Sequence, residues 1–403
     1  MKHFFYKLRG KLKGMTALLL CMGLFSPSIF AKEPVALSAA EQGVQEAVTV
    51  VEEPQPLPTL TEEEALKKAK KHSPDLRSVQ STADFLQETK EDIWDMAGFF
   101  NPVTNYDYKQ WVDPGWYAVN AAIFKTATGM EQNKYGEQIT QMALEMTVKS
   151  SFISILQAQN NLELVRKNAE MQEKLYQQGK VKNELGLLSQ YQLDQLEIAA
   201  EKARDAEVQL LDSLEQLYIK LNDLMGEKTD ARFTYVYDVE YQPYEMSRSM
   251  EMYLADKTKN EPSIKILELN VETAKFNQNY LSIADTGSSA QRDLDMDTAN
   301  RALKTAKTNM ELAIRNAYLQ IGQLETAYAS AQADLTKAKA DYRAAQINLQ
   351  AGNVTATTVE QAELGVLQAE NALKELAYNH EMLIYTFEHP SLLTASSSNT
   401  FAQ

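Results

Sequence analysis

A stretch that occurs twice constrains this chain more than any other feature. The first copy, Gly186 to Glu197, reads GLLSQYQLDQLE. The second, Gly352 to Glu363, reads GNVTATTVEQAE, and the two glycines lie 166 positions apart (352 less 186). Each copy is a glycine, a short polar loop and the start of a long helical pattern. A glycine inside otherwise helical sequence marks a chain reversal, because it reaches φ > 0 without a steric penalty. The offset also holds on both flanks. After Gly186, apolar or small residues stand at Leu193, Leu196, Ala200, Ala203, Leu210, Leu214, Leu217, Leu221 and Leu224. After Gly352 the matching positions are Val359, Ala362, Val366, Ala369, Leu373, Leu376, His380, Leu383 and Phe387. Upstream of Gly352 the same spacing runs from Met310 to Leu349, and upstream of Gly186 from Leu144 to Tyr176. Steps of three and four sustained this long specify an antiparallel coiled-coil hairpin, so the chain carries two such hairpins with a glycine at each tip. The expected fold is all-α, with tandem long hairpins and at most a short β-hairpin.

The N-terminus reads as a secretory signal over residues 1–31. Lys2, Lys7, Arg9, Lys11 and Lys13 precede an apolar core from Thr16 to Phe25, and Ala31 suits the cleavage position. The only cysteine, Cys21, lies inside it, so disulfides and thiol catalysis are excluded from the mature chain. Five of the 40 basic residues and none of the 55 acidic ones fall in this segment. The remainder is therefore more acidic still than the −15 of the whole chain. That charge argues against nucleic acid as a partner.

Residues 32–58 are rich in Pro and Glu and read as a linker. A first repeat spans 59–226. It opens on a capping box, Thr61 to Glu64, and breaks at Pro74. Phe99 to Ala127 is rich in aromatic and β-branched residues, with Pro114-Gly115 dividing it, and reads as a short β-hairpin. A connector over 227–248 contains an alternating strand pattern, Arg232 to Tyr241. The second repeat spans 249–390, breaks at Pro262, and is 22 residues shorter between its break and its tip (188 less 166). Residues 391–403 are Ser-rich and read as a disordered tail.

This order resembles the TolC-type outer-membrane efflux factors. The residues that carry the likeness are Leu60-Thr61-Glu62-Glu63-Glu64-Ala65-Leu66 with His72-Ser73-Pro74-Asp75-Leu76, the repeat Asn260-Glu261-Pro262-Ser263-Ile264, and the two glycine tips. The resemblance implies a homotrimeric helical tunnel in the periplasm and outer membrane. Such a tunnel exports solutes together with a periplasmic adaptor protein and an inner-membrane pump. Carried over, Leu185, Gly186, Leu187, Leu188 and Ser189, with Ala351, Gly352, Asn353, Val354 and Thr355, are the adaptor-docking tips. Family members often narrow the entrance with aspartates six and nine residues past the second tip glycine. Here those positions are Thr358 and Gln361, with Glu360 and Glu363 beside them and Asp194 and Glu197 equivalent in the first repeat. These six are the lumen or gate residues; the sequence leaves open whether the carboxylates line a lumen or a solvated face. Tyr106, Tyr108, Trp111, Trp116 and Tyr117 suit a membrane interface.

Spanning strands need about 9–11 residues each and a closed barrel. The first repeat supplies two short strands at best and the second none, so this is a reduced member. The alternative is a periplasmic coiled-coil scaffold without a pore. An adaptor role fits less well, because the chain has two hairpins and almost no strand. No nucleophile–base pair, phosphate loop or cofactor motif is present, so an enzyme is not expected. Asp293 to Asp297 lacks the glycine and glutamate of a calcium loop and reads as a helix start. His380 falls on a seam position and reads as a polar core residue, not a metal ligand.

Overall fold

The computed structural model describes residues 57–97, 114–237, 239–279 and 289–397. Strand β1 (Thr59–Thr61) leads into α1 (Glu62–His72), α2 (Pro74–Ala97), α3 (Pro114–Glu184) and α4 (Gln190–Met225). Strand β2 (Thr234–Val236) lies in the connector. The second repeat is α5 (Met250–Asn260), α6 (Pro262–Asn279), α7 (Ser289–Gln350) and α8 (Ala356–Glu388), followed by α9 (Pro390–Ser397). The signal segment, the linker up to residue 56, and Tyr106, Tyr108 and Trp111 lie outside the described residues.

Local rules place the breaks. Thr61 caps α1: its hydroxyl accepts from the Glu64 N–H, and the Glu64 carboxylate accepts from the Thr61 N–H. Both Pro74 and Pro262 occupy the first position of a new helix, where the missing N–H costs nothing. The residues before them are buried and bonded. Ser73 Oγ accepts from the Leu76 N–H, and Glu261 accepts from Ser391 Oγ at 2.8 Å.

The helices pack as an open layer. Towards the tips the order of neighbours is α4, α3, α8, α7; away from them it is α2, α3, α6, α7. Helix α3, roughly 105 Å long for its 71 residues, is the spine and packs against α4, α2, α8 and α6. Helices α4 and α7 do not pack against each other to any comparable extent. Two cores hold the base of the hairpins, one per repeat. The first gathers Leu60, Val148, Phe152, Ile155, Leu221 and Tyr235, and the second Tyr253, Ile264, Met310, Ile314, Ile321 and Phe387. Burying each large apolar side chain contributes about 1.5–3 kcal/mol.

Polar bridges join the repeats around these cores. The Lys149 ammonium sits 2.9 Å from Glu62 and 3.6 Å from Glu381, over the rings of Tyr237 and Tyr385. Burial opposes its charge, but the Glu62 and Glu381 carboxylates outweigh that and hold its pKa above the ordinary lysine value. His380 is 3% exposed, its Nε2 3.3 Å from Glu325, with Tyr241 stacked on Tyr328 beside it.

Three expectations change. Pro114 to Ala127, read as half of a β-hairpin, forms the first turns of α3, so Trp116 and Tyr117 are helical. Proline starts the helix, and the apolar residues taken for strand face α6: Phe124 stacks on Phe276 at 4.1 Å. The sheet that does form is parallel and non-local, pairing Thr59 to Thr61 with Thr234 to Val236. Its pairing ties the start of the first repeat to the connector, and among the described residues of the 232–241 pattern three, Thr234–Val236, are strand. Finally, 391–397 is helix, not disordered tail. Ser391 is buried against Glu261 and Ser263, and Leu392 is buried as well, which offsets the entropy of ordering a Ser-rich segment.

The shortening of the second repeat is shared out. Helix α6 has 18 residues against 24 in α2, and α7 has 62 against 71 in α3. The remainder comes from the connecting segment, residues 280–288 against 98–113.

Gly226 ends α4 at φ +71, and a Cβ there would fall 2.3 Å from His72 Nδ1. Gly226→Ala is expected to destabilise by about 2 kcal/mol or more, since left-handed strain of roughly 1–2 kcal/mol is joined by a clash. Gly186→Ala meets nothing within 4 Å and carries the strain alone. Thermal unfolding of the two variants checks this; equal shifts in Tm would contradict it.

Candidate functional site

The two hairpin tips are built by the same backbone device. Gly186 and Gly352 have φ of 72° and 75°. At the first tip the Gly186 N–H donates to Asn183 O and the Leu187 N–H to Lys182 O, both at 2.8 Å. At the second, the Gly352 N–H donates to Leu349 O at 2.9 Å and the Asn353 N–H to Asn348 O at 2.8 Å. This is the Schellman closure, which satisfies the carbonyls left over at a helix end. Nothing lies within 4 Å of where either glycine's Cβ would be, so the tips face open space.

Beyond the glycines the tips differ. Ser189 caps α4 with a full capping box to Gln192, and Asn183 Nδ2 donates to Leu188 O at 2.9 Å, pinning the loop. Thr355 makes no side-chain cap bond; its hydroxyl sits 3.1 Å from that of Thr358. The first tip is the more apolar. Leu187 is 74% exposed, and Leu185 and Tyr191 are exposed beside it. At the second tip Ala351, Asn353 and Thr355 are exposed and Val354 is half-buried. Just below the first tip, Gly179 lets α3 and α4 approach closely, for a Cβ there would meet Leu196 Cδ1 at 2.5 Å.

The carboxylates left undirected by sequence now have directions. Glu360 pairs with Lys174 at 2.8 Å and Glu363 with Lys167 at 3.0 Å, joining α8 to α3 across the seam between the hairpins. Hydrogen bonds from Lys174 to Glu360 and from Lys167 to Glu363 raise both lysines above their ordinary pKa. The first-repeat equivalents do something else. Asp194 accepts from Gln190 on its own helix, and Glu197 accepts from the Tyr176 hydroxyl at 2.5 Å. Thr358 and Gln361 are exposed. The structure thus brings Glu360 and Glu363 to α3 from one side as ion pairs and Glu197 to it from the other through Tyr176, while Asp194 bonds within α4. Sequence reading missed Lys167 and Lys174. Their spacing of seven, one heptad, was the available signal, but it does not say which helix they face.

A second surface feature runs along the two edges. On α4, the face opposite the packed seam carries Ile198, Glu201, Asp205, Val208, Asp212, Glu215 and Ile219, in alternating steps of three and four, all exposed. On α7, the corresponding face carries Leu312, Arg315, Leu319, Thr326, Ala333, Ala340, Arg343 and Ile347, also exposed. Leu319 is 63% and Ile347 66% exposed, against 57% for Val208. One edge is apolar and acidic, the other apolar, small and basic. Among the described residues no cluster of metal-ligating side chains occurs, and no helix is long and apolar enough to cross a membrane.

No protein-family model matches the sequence, and no curated protein matches it either. Solved structures do match the fold. The outer membrane protein VceC from Vibrio cholerae aligns with a TM-score of 0.55 at 12% identity, over 82% of this chain and 95% of that one. The Campylobacter jejuni CmeC outer membrane channel aligns with a TM-score of 0.59 at 14% identity, over 91% and 94%. The outer-membrane channel OprN aligns with a TM-score of 0.61 at 12% identity, over 82% and 89%. The chain therefore has the all-α, TolC-like fold of these channel proteins.

Proposed function

We propose that this chain is the tunnel subunit of an outer-membrane efflux system. Three copies close a hollow helical cylinder that passes solutes outward, with a periplasmic adaptor at the tips and an inner-membrane pump behind it. The observation that carries this reading is the open layer. A protomer with helix order α4, α3, α8, α7 leaves both edges without a neighbour, and each edge bears an apolar stripe at coiled-coil spacing. Joining the acidic α4 edge of one copy to the Arg-bearing α7 edge of the next keeps the helices alternating in direction. Such a head-to-tail contact generates a ring when its rotation closes. The fold shared with outer-membrane channels supports the same assembly.

The tips suit a protein partner. Leu185, Leu187 and Tyr191 offer apolar contact at the end of a rigid hairpin, and the glycines let another backbone approach. The chain acts by conduction, not catalysis. Electron microscopy of the detergent-extracted protein is expected to show a threefold hollow cylinder, and deletion of the gene is expected to sensitise cells to exported toxic solutes. A monodisperse thin rod would support a scaffold without a pore.

A further inference from the structure

We infer that the duct wall between the tips and the connector is electroneutral, so that it passes cationic, anionic and uncharged solutes without sorting them by charge. The inference rests on the tunnel reading above and names which face of the layer lines the bore. The connector lies across one face and meets the four long helices in their order. Tyr235 stacks on Tyr218 of α4 and meets Phe152 of α3 edge-on, each with ring centroids 5.5 Å apart. The Tyr237 hydroxyl donates to Glu381 of α8. Tyr241 stacks on Tyr328 of α7, and the Tyr244 N–H donates to Glu325 of the same helix at 2.7 Å. A ring of twelve helices about 8–10 Å apart has a radius of roughly 15–19 Å to the helix axes, and each helix takes up about 5 Å of that. Three connectors turned inward, each with strand β1 paired to it, would fill the bore that remains. Turned outward they leave it open, so the wall is the opposite, bare face.

Helical geometry names the residues on that face, because positions two apart on a helix point about 200° apart. Gln216 lies opposite Tyr218 on α4, and Thr147 and Ser154 lie opposite Lys149 and Phe152 on α3. Asn379 lies opposite Glu381 on α8, and Gln323 opposite Glu325 on α7. All five are exposed except Ser154, which is half-buried. Followed towards the tips in steps of three and four, the stripes keep this character. Helix α3 adds Asn161, Asn168 and Gln172, and α8 adds Gln368, Gln361 and Thr358. The stripes cover 147–172 of α3, 195–220 of α4, 309–348 of α7 and 358–379 of α8. The charged residues in step with them are Lys202, Lys220, Lys337, Asp334, Asp341 and Glu375, three positive and three negative. The carboxylates in excess lie elsewhere. Lys167 stands eighteen residues, or five turns, past Lys149 (167 less 149) and shares its face, so Glu363 and, one heptad on, Glu360 meet α3 on the connector side. Glu201, Asp205 and Asp212 lie on the α4 edge. Of the gate positions, Thr358 and Gln361 therefore face the bore, and Glu360 and Glu363 do not. A solute in the bore meets amides and hydroxyls, which bond donors and acceptors alike, and no net field.

Single cysteines in a Cys21→Ser background test both parts. Asn161→Cys and Gln368→Cys place the thiol on the bare face, and Glu163→Cys and Lys374→Cys place it on the connector face; all four native residues are exposed. Each variant, confirmed as rings by electron microscopy, is treated with a bulky polyethylene-glycol maleimide. Modification of the connector-face pair and sparing of the bare-face pair are expected, and the reverse pattern would overturn the inference. The bare-face pair is then treated with two small thiol reagents, one carrying a quaternary ammonium and one a sulfonate. Their rates, each normalised to free cysteine, are expected to agree within about threefold, whereas a wall of one net sign would favour the opposite charge by about tenfold or more. A preference of that size, or failure of both reagents to react, would overturn the inference. Absence of rings would instead defeat the tunnel reading, so the two failures are distinguishable.

Discussion

A Leu319→Glu, Ile347→Glu double variant is expected to leave the protomer folded and to abolish the ring. Both side chains lie on the side of α7 opposite its packed seam, where Leu319 is 63% and Ile347 66% exposed. In the ring they would face Ile198, Val208 and Ile219 across the α4 edge, amid Glu201, Asp205 and Asp212. Two new carboxylates in that setting remove apolar burial and place like charges together. A penalty of roughly 2 kcal/mol per seam over three seams weakens assembly by about 10⁴-fold. Mass photometry and circular dichroism read the two parts separately. A variant that stays trimeric would show that α7 is not the joining edge, and one that loses helicity would show that the stripe serves the protomer's own fold. Reversing the α4 charges, with Asp205→Lys and Asp212→Lys alongside Leu319→Glu, is expected to recover part of the assembly.

Phe387→Ala is expected to cost about 3–5 kcal/mol, the range for emptying an aromatic site in a packed core. Phe387 is 0% exposed. Its ring stacks on Tyr253 at 4.8 Å with 2° between planes and meets Tyr244 edge-on at 5.4 Å. The Tyr253 hydroxyl donates to Phe387 O at 2.7 Å, so the tyrosine is held by the backbone of the residue it covers. Burial raises the Tyr253 pKa well above the ordinary phenol value, which keeps that donor proton in place at any ordinary pH. Helices α5, α7 and α8 all meet at this ring, so collapse around the cavity would have to move three helices at once. Urea unfolding followed by circular dichroism measures the loss. A change below about 1 kcal/mol would mean that the second-repeat core is not formed as described.

Helix positions were legible because helices are decided locally. The step of three and four from Met310 to Ile321 names residues that are all buried, and the same pattern marks Val148, Ile155 and Leu162 on α3. The glycine tips, the Thr61 capping box and the breaks at Pro74 and Pro262 need only the chain's own neighbours to operate. His380 was legible as a polar seam residue because its place in the period was occupied by Leu214 in the other repeat.

What failed were inferences about partners. Ile123 and Phe124 carry strand propensity, yet a neighbouring helix with Phe276 at the right height makes them a helix face. The Ser-rich tail offered no period, and only the buried Glu261 and the adjoining core explain why α9 forms. The candidate site divides the same way. Which residues sit at the tips followed from the repeat, whereas Glu360 and Glu363 could not be assigned a face until Lys174 and Lys167 were known to lie opposite.

By itself the amino-acid order determined two hairpins, their tips and their caps. Only the tertiary structure decided that the four long helices lie in an open layer, that α3 meets α8 through two ion pairs, and that Thr59 to Thr61 pairs with a strand far along the chain. The physical reason is that a heptad period states which face of a helix must be covered, and is silent about what covers it.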